Sequence, residues 1–136
     1  MKKVIRGLAA SLLAAAAVGG AASPSFAAVH DGECVSGEIC VFRNVDYYGG
    51  MNDMGSNDSS WLNNYYSTGY SMHDTASSGF GIDRAVEFWV DINFGGPHFT
   101  LGVNQYDSEW KTNQPNASSS SYNFNNKIVS HALYVP

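Results

Sequence analysis

Beyond its first 27 residues the chain is poor in basic side chains, in helical periodicity and in the spacings that mark catalytic or metal centres. Only Arg43, Arg84, Lys111 and Lys127 are basic there, against twelve acidic residues, a formal charge of −8. So few cations cannot replace the counterions of a nucleic-acid backbone, which excludes that class of partner. No apolar run after residue 27 approaches the roughly 18 residues that a membrane span requires, so no membrane partner is expected either. His30, His73, His98 and His131 show no HExxH or comparable spacing, and a zinc site would have to assemble from distant segments. Ser77 and Ser78 lack a GxSxG elbow. Glu87 and Asp91, at i and i+4 on a strand-like stretch, would share a face roughly 13 Å apart. That is wider than the usual pair of glycosidase acids. These absences predict a protein that binds and does not catalyse.

The first residues are of another kind. MKKVIRGLAASLLAAAAVGGAASPSFA opens with Lys2, Lys3 and Arg6, continues as a Leu/Ala run and ends small-x-small at Ser25-Phe26-Ala27. That is the pattern of a secretory signal peptide, cut near Ala27–Ala28. Residues 28–136 then suffice for one exported domain, expected to be monomeric. In an oxidising compartment Cys34 and Cys40 are expected to pair. Their spacing is not CxxC and no basic residue lies between them, so the bridge reads as a structural staple. Closing so short a loop restrains the unfolded chain by about 2 kcal/mol.

What remains is strand-like. HFTLGV alternates, with Phe99, Leu101 and Val103 on one face and His98 and Thr100 on the other. ICVFR, AVEFWV and KIVSHALYV are short, β-branched or aromatic, and bounded by Gly, Asn, Asp and Ser. Two polar stretches, Gly55–Gly69 and Val103–Tyr122, read as loops. The fold class is all-β. A repeat runs through it: FRNVDYYGG and WVDINFGG share an outline, so that Phe42, Tyr47 and Gly49 map onto Trp89, Phe94 and Gly96 at a constant offset of 47. Each copy is followed by a second signature, HDTASS at 73–78 and NNKIVS at 125–130. A hairpin folded back over its own aromatic needs positive φ, which Gly supplies at least cost.

This order resembles the βγ-crystallin Greek key, with its Y/F/W-x-x-x-x-Y/F-x-G hairpin and (N/D)-(N/D)-x-x-(S/T)-S turn. The resemblance implies a two-motif sandwich, one Greek key at about 34–82 and the other at about 83–135. Neither motif could bury its apolar face alone. The opening CVSGEICVFRNVDYYGG is further similar to that of secreted bacterial peptidase inhibitors of βγ-crystallin type, best known as metalloproteinase inhibitors. The match rests on Cys34, Gly37, Cys40, Phe42, Asp46, Tyr47 and Gly49. It implies an extracellular protease as partner. Those inhibitors present the reactive bond on a loop held by a second disulfide, which this chain lacks, so the sequence names no reactive residue.

The same resemblance implies calcium as a ligand of the Asn/Asp turns, through their oxygens and the fifth-position hydroxyl. Asp74 and Ser77 fit in the first turn, where His73 departs from the pattern. Asn125 and Asn126 fit in the second, where Val129 replaces the hydroxyl. With one position damaged in each turn, weak or absent calcium binding is expected. WLNNYYSTGY supplies a candidate interaction loop, with Trp61, Tyr65, Tyr66 and Tyr70 among Ser, Gly and Asn neighbours. Two other roles suit the scaffold: a structural or stress-related extracellular protein, and an antimicrobial or cell-wall-binding one.

Overall fold

A computed structural model describes residues 30–134; the expected signal peptide and its cut near Ala27–Ala28 lie outside the described residues. Among the described residues seven strands form two antiparallel sheets: β1 (Ile39–Phe42), β2 (Met51–Met54), β3 (Ser78–Gly81), β4 (Ala85–Asp91), β5 (Gly95–Leu101), β6 (Tyr106–Asp107) and β7 (Ser130–Tyr134). The sheet orders are β2-β1-β3-β6 and β5-β4-β7. Val86, Phe88, Phe99 and Leu101 point inward from the second sheet and Ile39 and Val41 from the first, all fully buried. Between the sheets they meet Trp61, Met72, Trp110, Phe124 and Ile128, which come from the connections.

The two repeats interlock. β6, from the second repeat, pairs with β3 in the first sheet. Asp58, from the first repeat, makes a two-way backbone bridge to His131 on β7, at the edge of the second sheet. Each repeat therefore lends a segment to its neighbour's sheet, which ties the sheets together by backbone hydrogen bonds as well as by apolar burial.

The offset of 47 is written into the backbone. Asp46 and Tyr47 take left-handed φ values of 56° and 62°, and Asn93 and Phe94 take 57° and 58°. A Cβ on Gly49 would lie 2.5 Å from the Asn44 amide, and one on Gly96 would lie 2.5 Å from the Asp91 carboxylate, so both positions exclude a side chain. The aromatic pairs differ. Phe42 and Tyr47 meet edge to face at 5.6 Å, but Trp89 stacks on His98 at 4.1 Å and Phe94 is left partly exposed. The turn serines also correspond: Ser78 Oγ donates to Asn44 O (2.6 Å) and Ser130 Oγ to Asp91 O (2.7 Å). Each closes its repeat by satisfying a hairpin carbonyl.

Several expectations need correction. Val103 lies past the end of β5 and is exposed, so the inward alternation stops at Leu101. β7 starts only at Ser130, because Asn125–Val129 is spent in the turn. A register shift between Trp89 and Asp91 interrupts β4 just before the hairpin, so the even i, i+4 spacing of Glu87 and Asp91 does not hold there. The expected bridge between Cys34 and Cys40 is present, with Cα atoms 6.0 Å apart, next to β1.

Candidate functional site

Two surface regions collect the residues singled out above. The first is the pair of pockets formed by the Asn/Asp turns. Asp74 and Asn126 adopt left-handed φ values of 54° and 56°, conformations that Asn and Asp tolerate best after glycine. This sends the two turns toward each other. Ser77 Oγ donates to Asn126 Oδ1 at 3.0 Å, and Asn126 N donates to Ala76 O at 2.9 Å. One pocket is lined by Arg43, Asn44, Asp74, Thr75, Ser77 and Asn126. The other is lined by His73, Asp74, Val90, Asp91, Ile92 and Val129.

The pairing is therefore across turns, not within them. The intact hydroxyl of the first turn meets the intact amide of the second. The carboxylate of the first, Asp74, lines both pockets, and in the second it is joined by Val129, whose side chain offers no oxygen. Asn125 Oδ1 is buried without a hydrogen-bond partner, a further uncommitted oxygen in the second turn. A calcium ion takes six to eight oxygens. Asp74, Ser77 and Asn126 line one pocket and Asp74 and Asp91 the other, where the Val129 side chain adds no oxygen. Arg43 also lines the first pocket, with its guanidinium carbon 3.9 Å above the Tyr70 ring.

The second region is the connection from residue 55 to residue 71. Its four named aromatics do not act together. Trp61 and Tyr66 are core residues, and burial pushes the Tyr66 hydroxyl up to about 12. Tyr65 and Tyr70 are each 55% exposed. The Trp61 indole donates to His131 Nδ1 at 2.9 Å, and His131 Nε2 faces Ser56 O at 2.8 Å. An indole N–H can only donate and a carbonyl can only accept, so His131 carries its proton on Nε2. Burial of this ring holds its pKa down to about 4. His131 is thus neither solvated nor a ligand; it fastens the connection to β7.

Beyond Tyr66 the chain makes a short hairpin. Tyr66 N donates to Tyr70 O (2.9 Å), Gly69 N to Tyr66 O (2.8 Å), and Tyr65 bridges Ser71. Its tip is docked on the first repeat's hairpin: Ser67 N donates to Met51 O (2.8 Å), Met51 N to Ser67 Oγ (3.2 Å), and Thr68 Oγ1 to Gly49 O (3.3 Å). Gly50 has φ 97°, and the nearest atom to a Cβ there would be Thr68 Oγ1 at clashing distance. Sequence reasoning missed Ser67, Thr68 and Gly50; the Gly49-Gly50 pair was the available signal, since only one of the two is needed for the turn.

The remaining candidates disperse. His73 contacts its neighbour Asp74 (3.2 Å), His30 contacts Asn52 (3.1 Å), and His98 contacts Glu87 (3.3 Å). Glu87 also accepts from the Tyr134 hydroxyl. Among the described residues no group of three or more His, Cys, Asp or Glu side chains converges on a common metal position.

Comparison with solved structures places this geometry. A domain from work on the evolution of the eye-lens βγ-crystallin fold superposes with a TM-score of 0.60 at 18% identity, covering 77% of this chain and 92% of that one. An archaeal βγ-crystallin gives 0.54 at 23% identity over 74% and 100%. A βγ-crystallin domain from Flavobacterium johnsoniae gives 0.52 at 21% over 71% and 93%. At such identities the likeness concerns the fold alone. No curated protein matches the chain significantly. The model of peptidase inhibitor family I36 matches residues 27–101, more than half of the chain. On that match the chain belongs to peptidase inhibitor family I36, a non-catalytic binding protein built on a βγ-crystallin fold.

Proposed function

We propose that this protein is exported and blocks an extracellular peptidase, with metallopeptidases the first class to test, by offering the enzyme a surface loop. The observation that carries this reading is the family match over residues 27–101. The geometry supports it: a doubly sheeted sandwich holds its long connections by named backbone bonds, and a loop ordered before binding loses less entropy on binding. The leader and the disulfide support an extracellular setting. Purified protein, incubated with a panel of secreted metallo- and serine peptidases at micromolar concentration, is expected to inhibit at least one stoichiometrically. Full activity of every enzyme, or rapid digestion of the protein, would refute the reading.

A second property is favoured by the contact of Ser77 with Asn126. One calcium ion, not two, is expected to bind and stabilise the fold. With a dissociation constant on the order of 1 mM, common for extracellular modules, 10 mM calcium would add about 1.4 kcal/mol. Ser77→Ala should abolish the shift in melting temperature, and Val129→Thr should open a second site. An unchanged melting temperature in wild type, or a shift that survives Ser77→Ala, would refute the assignment.

A further inference from the structure

We infer that the hairpin Tyr65–Tyr70 is the segment that enters the peptidase's substrate cleft, an assignment that rests on the inhibitory reading above. A loop that blocks a peptidase without being consumed must project from the body, be fixed at both ends, and resist being pulled into a substrate conformation. Tyr65 and the run Ser67–Tyr70 are exposed, while Tyr66 and Met72, which bracket that run, are buried in the core. The fixing is distributed. Tyr66 is held by its buried ring and by the Thr75 hydroxyl, which donates to its phenol oxygen at 3.2 Å. Ser67 and Thr68 are bonded to Met51 and Gly49, and the Tyr70 ring is capped by Arg43.

These contacts take the place of a loop disulfide. Three of them cross to the β1–β2 hairpin, so the tip cannot move without parting from a second segment of the fold. That is the restraint a covalent bridge would otherwise supply, obtained from hydrogen bonds and close packing against Gly50.

The chemistry of the tip points to the kind of pocket it fits. Its exposed rings are Tyr65 and Tyr70; the Ser67 and Thr68 hydroxyls are turned onto Met51 and Gly49, and the Arg43 guanidinium lies over the Tyr70 ring. Tyr48, 71% exposed and one residue before Gly49, adds a third phenol beside the docked tip. Tyrosines give large contact area with few torsions to freeze and a hydroxyl that stays wet. Such a surface suits an endopeptidase whose cleft accepts aromatic side chains.

The test uses an enzyme that the wild-type protein inhibits. The double variant Tyr65→Ala/Tyr70→Ala is expected to bind it at least ten-fold more weakly, because hot-spot aromatics dominate interfaces. Both rings are more than half exposed, so its melting temperature should stay close to wild type. Ser67→Ala/Thr68→Ala keeps the rings and the Ser67 N–H bond to Met51 O but removes the two side-chain docking bonds; it should inhibit more weakly and be cut within 65–70 on long incubation, as mass spectrometry would report. Hydrogen exchange of the wild-type complex needs no substitution and should show protection of the amides from Tyr66 to Ser71. If the double variant inhibits like wild type, or protection falls only on another loop such as the Ile92–Phe94 tip, the assignment is overturned while the inhibitory reading stands. Absence of inhibition by wild type would instead remove the reading on which it rests.

Discussion

Acidification from pH 7 to pH 4 is expected to remove about 3 kcal/mol of folding stability through His131 alone. The ring is fully buried, and its pKa in the fold is about 4 against an ordinary 6.5, with burial the main cause. The sign follows from which state takes the proton. Above about pH 6.5 the imidazole is neutral in both states, and the stability it supports is fully present. Between 6.5 and 4 the unfolded chain binds a proton that the folded chain refuses, so stability falls with pH. Below 4 both states are protonated and the slope from this group ends. The geometry explains the refusal: a second proton would sit on Nδ1, where the Trp61 N–H already points, setting donor against donor.

Other titratable groups modify the window without reversing it. Asp58, whose backbone bridges His131, favours the charged ring electrostatically but does not offset the burial. The Glu38 and Asp107 carboxyls are pushed up, in both cases chiefly by burial, and these give the opposite slope in the carboxylate range. Urea denaturation at intervals from pH 7.5 to 4 would read the loss. His131→Gln, which can both accept from Trp61 and donate to Ser56, should lower stability overall yet flatten the profile between 6.5 and 4. A wild-type profile already flat in that window would mean that the Trp61–His131–Ser56 chain is not closed in solution. Trp61→Phe should cost about 1–3 kcal/mol at neutral pH, since it leaves Nδ1 buried without a donor.

The sequence revealed unequal amounts of this structure, and the division has physical causes. β4 and β5 were legible because each buries alternate apolar residues on one face, and β1 because it is a short β-branched and aromatic run. β2 and β3 were not. MNDM buries Asn52 and Asp53, polar residues that instead serve the N-terminal arm: Asp53 accepts Asp31 N and Gly32 N at 3.0 and 3.1 Å. SGFG carries glycine where neighbouring groups leave no room for a side chain. The repeat at offset 47 was legible because hairpin conformation is local. The pairing of Ser77 with Asn126 was not, since it joins residues 49 apart through the packing of two turns. Trp61 and Tyr66 looked like partners of Tyr65 and Tyr70 because polar neighbours surround all four, whereas which ring turns inward is decided by the sandwich. His131 had a usable signal. The alternation along β7 places it on the same face as Leu133, an inward register that the pairings with Phe88 and Val86 fulfil.

Replacement of Trp110 by alanine is the substitution expected to damage the fold most. The residue lies in a stretch that reads as loop, yet its ring is fully buried, 4.5 Å from Phe88 and 5.4 Å from Phe99 between centroids. Its backbone N–H donates to Ser77 O at 2.8 Å, which fixes the connection directly beside the Asn/Asp turns. Losing so large a buried ring typically costs about 3–5 kcal/mol, out of a total of roughly 5–15 kcal/mol for a domain. Trp110→Ala should therefore lose a large share of the fold's stability and shift the denaturant midpoint strongly. Gly79 supplies an independent check, because a Cβ there would lie 2.7 Å from Trp110 Cζ2 and 2.8 Å from Cys40 O. Gly79→Ala should cost about 1–3 kcal/mol by overpacking. The two changes are not independent: once the indole is gone, half of the clash at Gly79 goes with it. The double variant should thus be less destabilised than the sum of the singles, with a coupling on the order of 1 kcal/mol. Strict additivity, or a Trp110→Ala variant within 1 kcal/mol of wild type, would show that the indole does not close the core over Gly79.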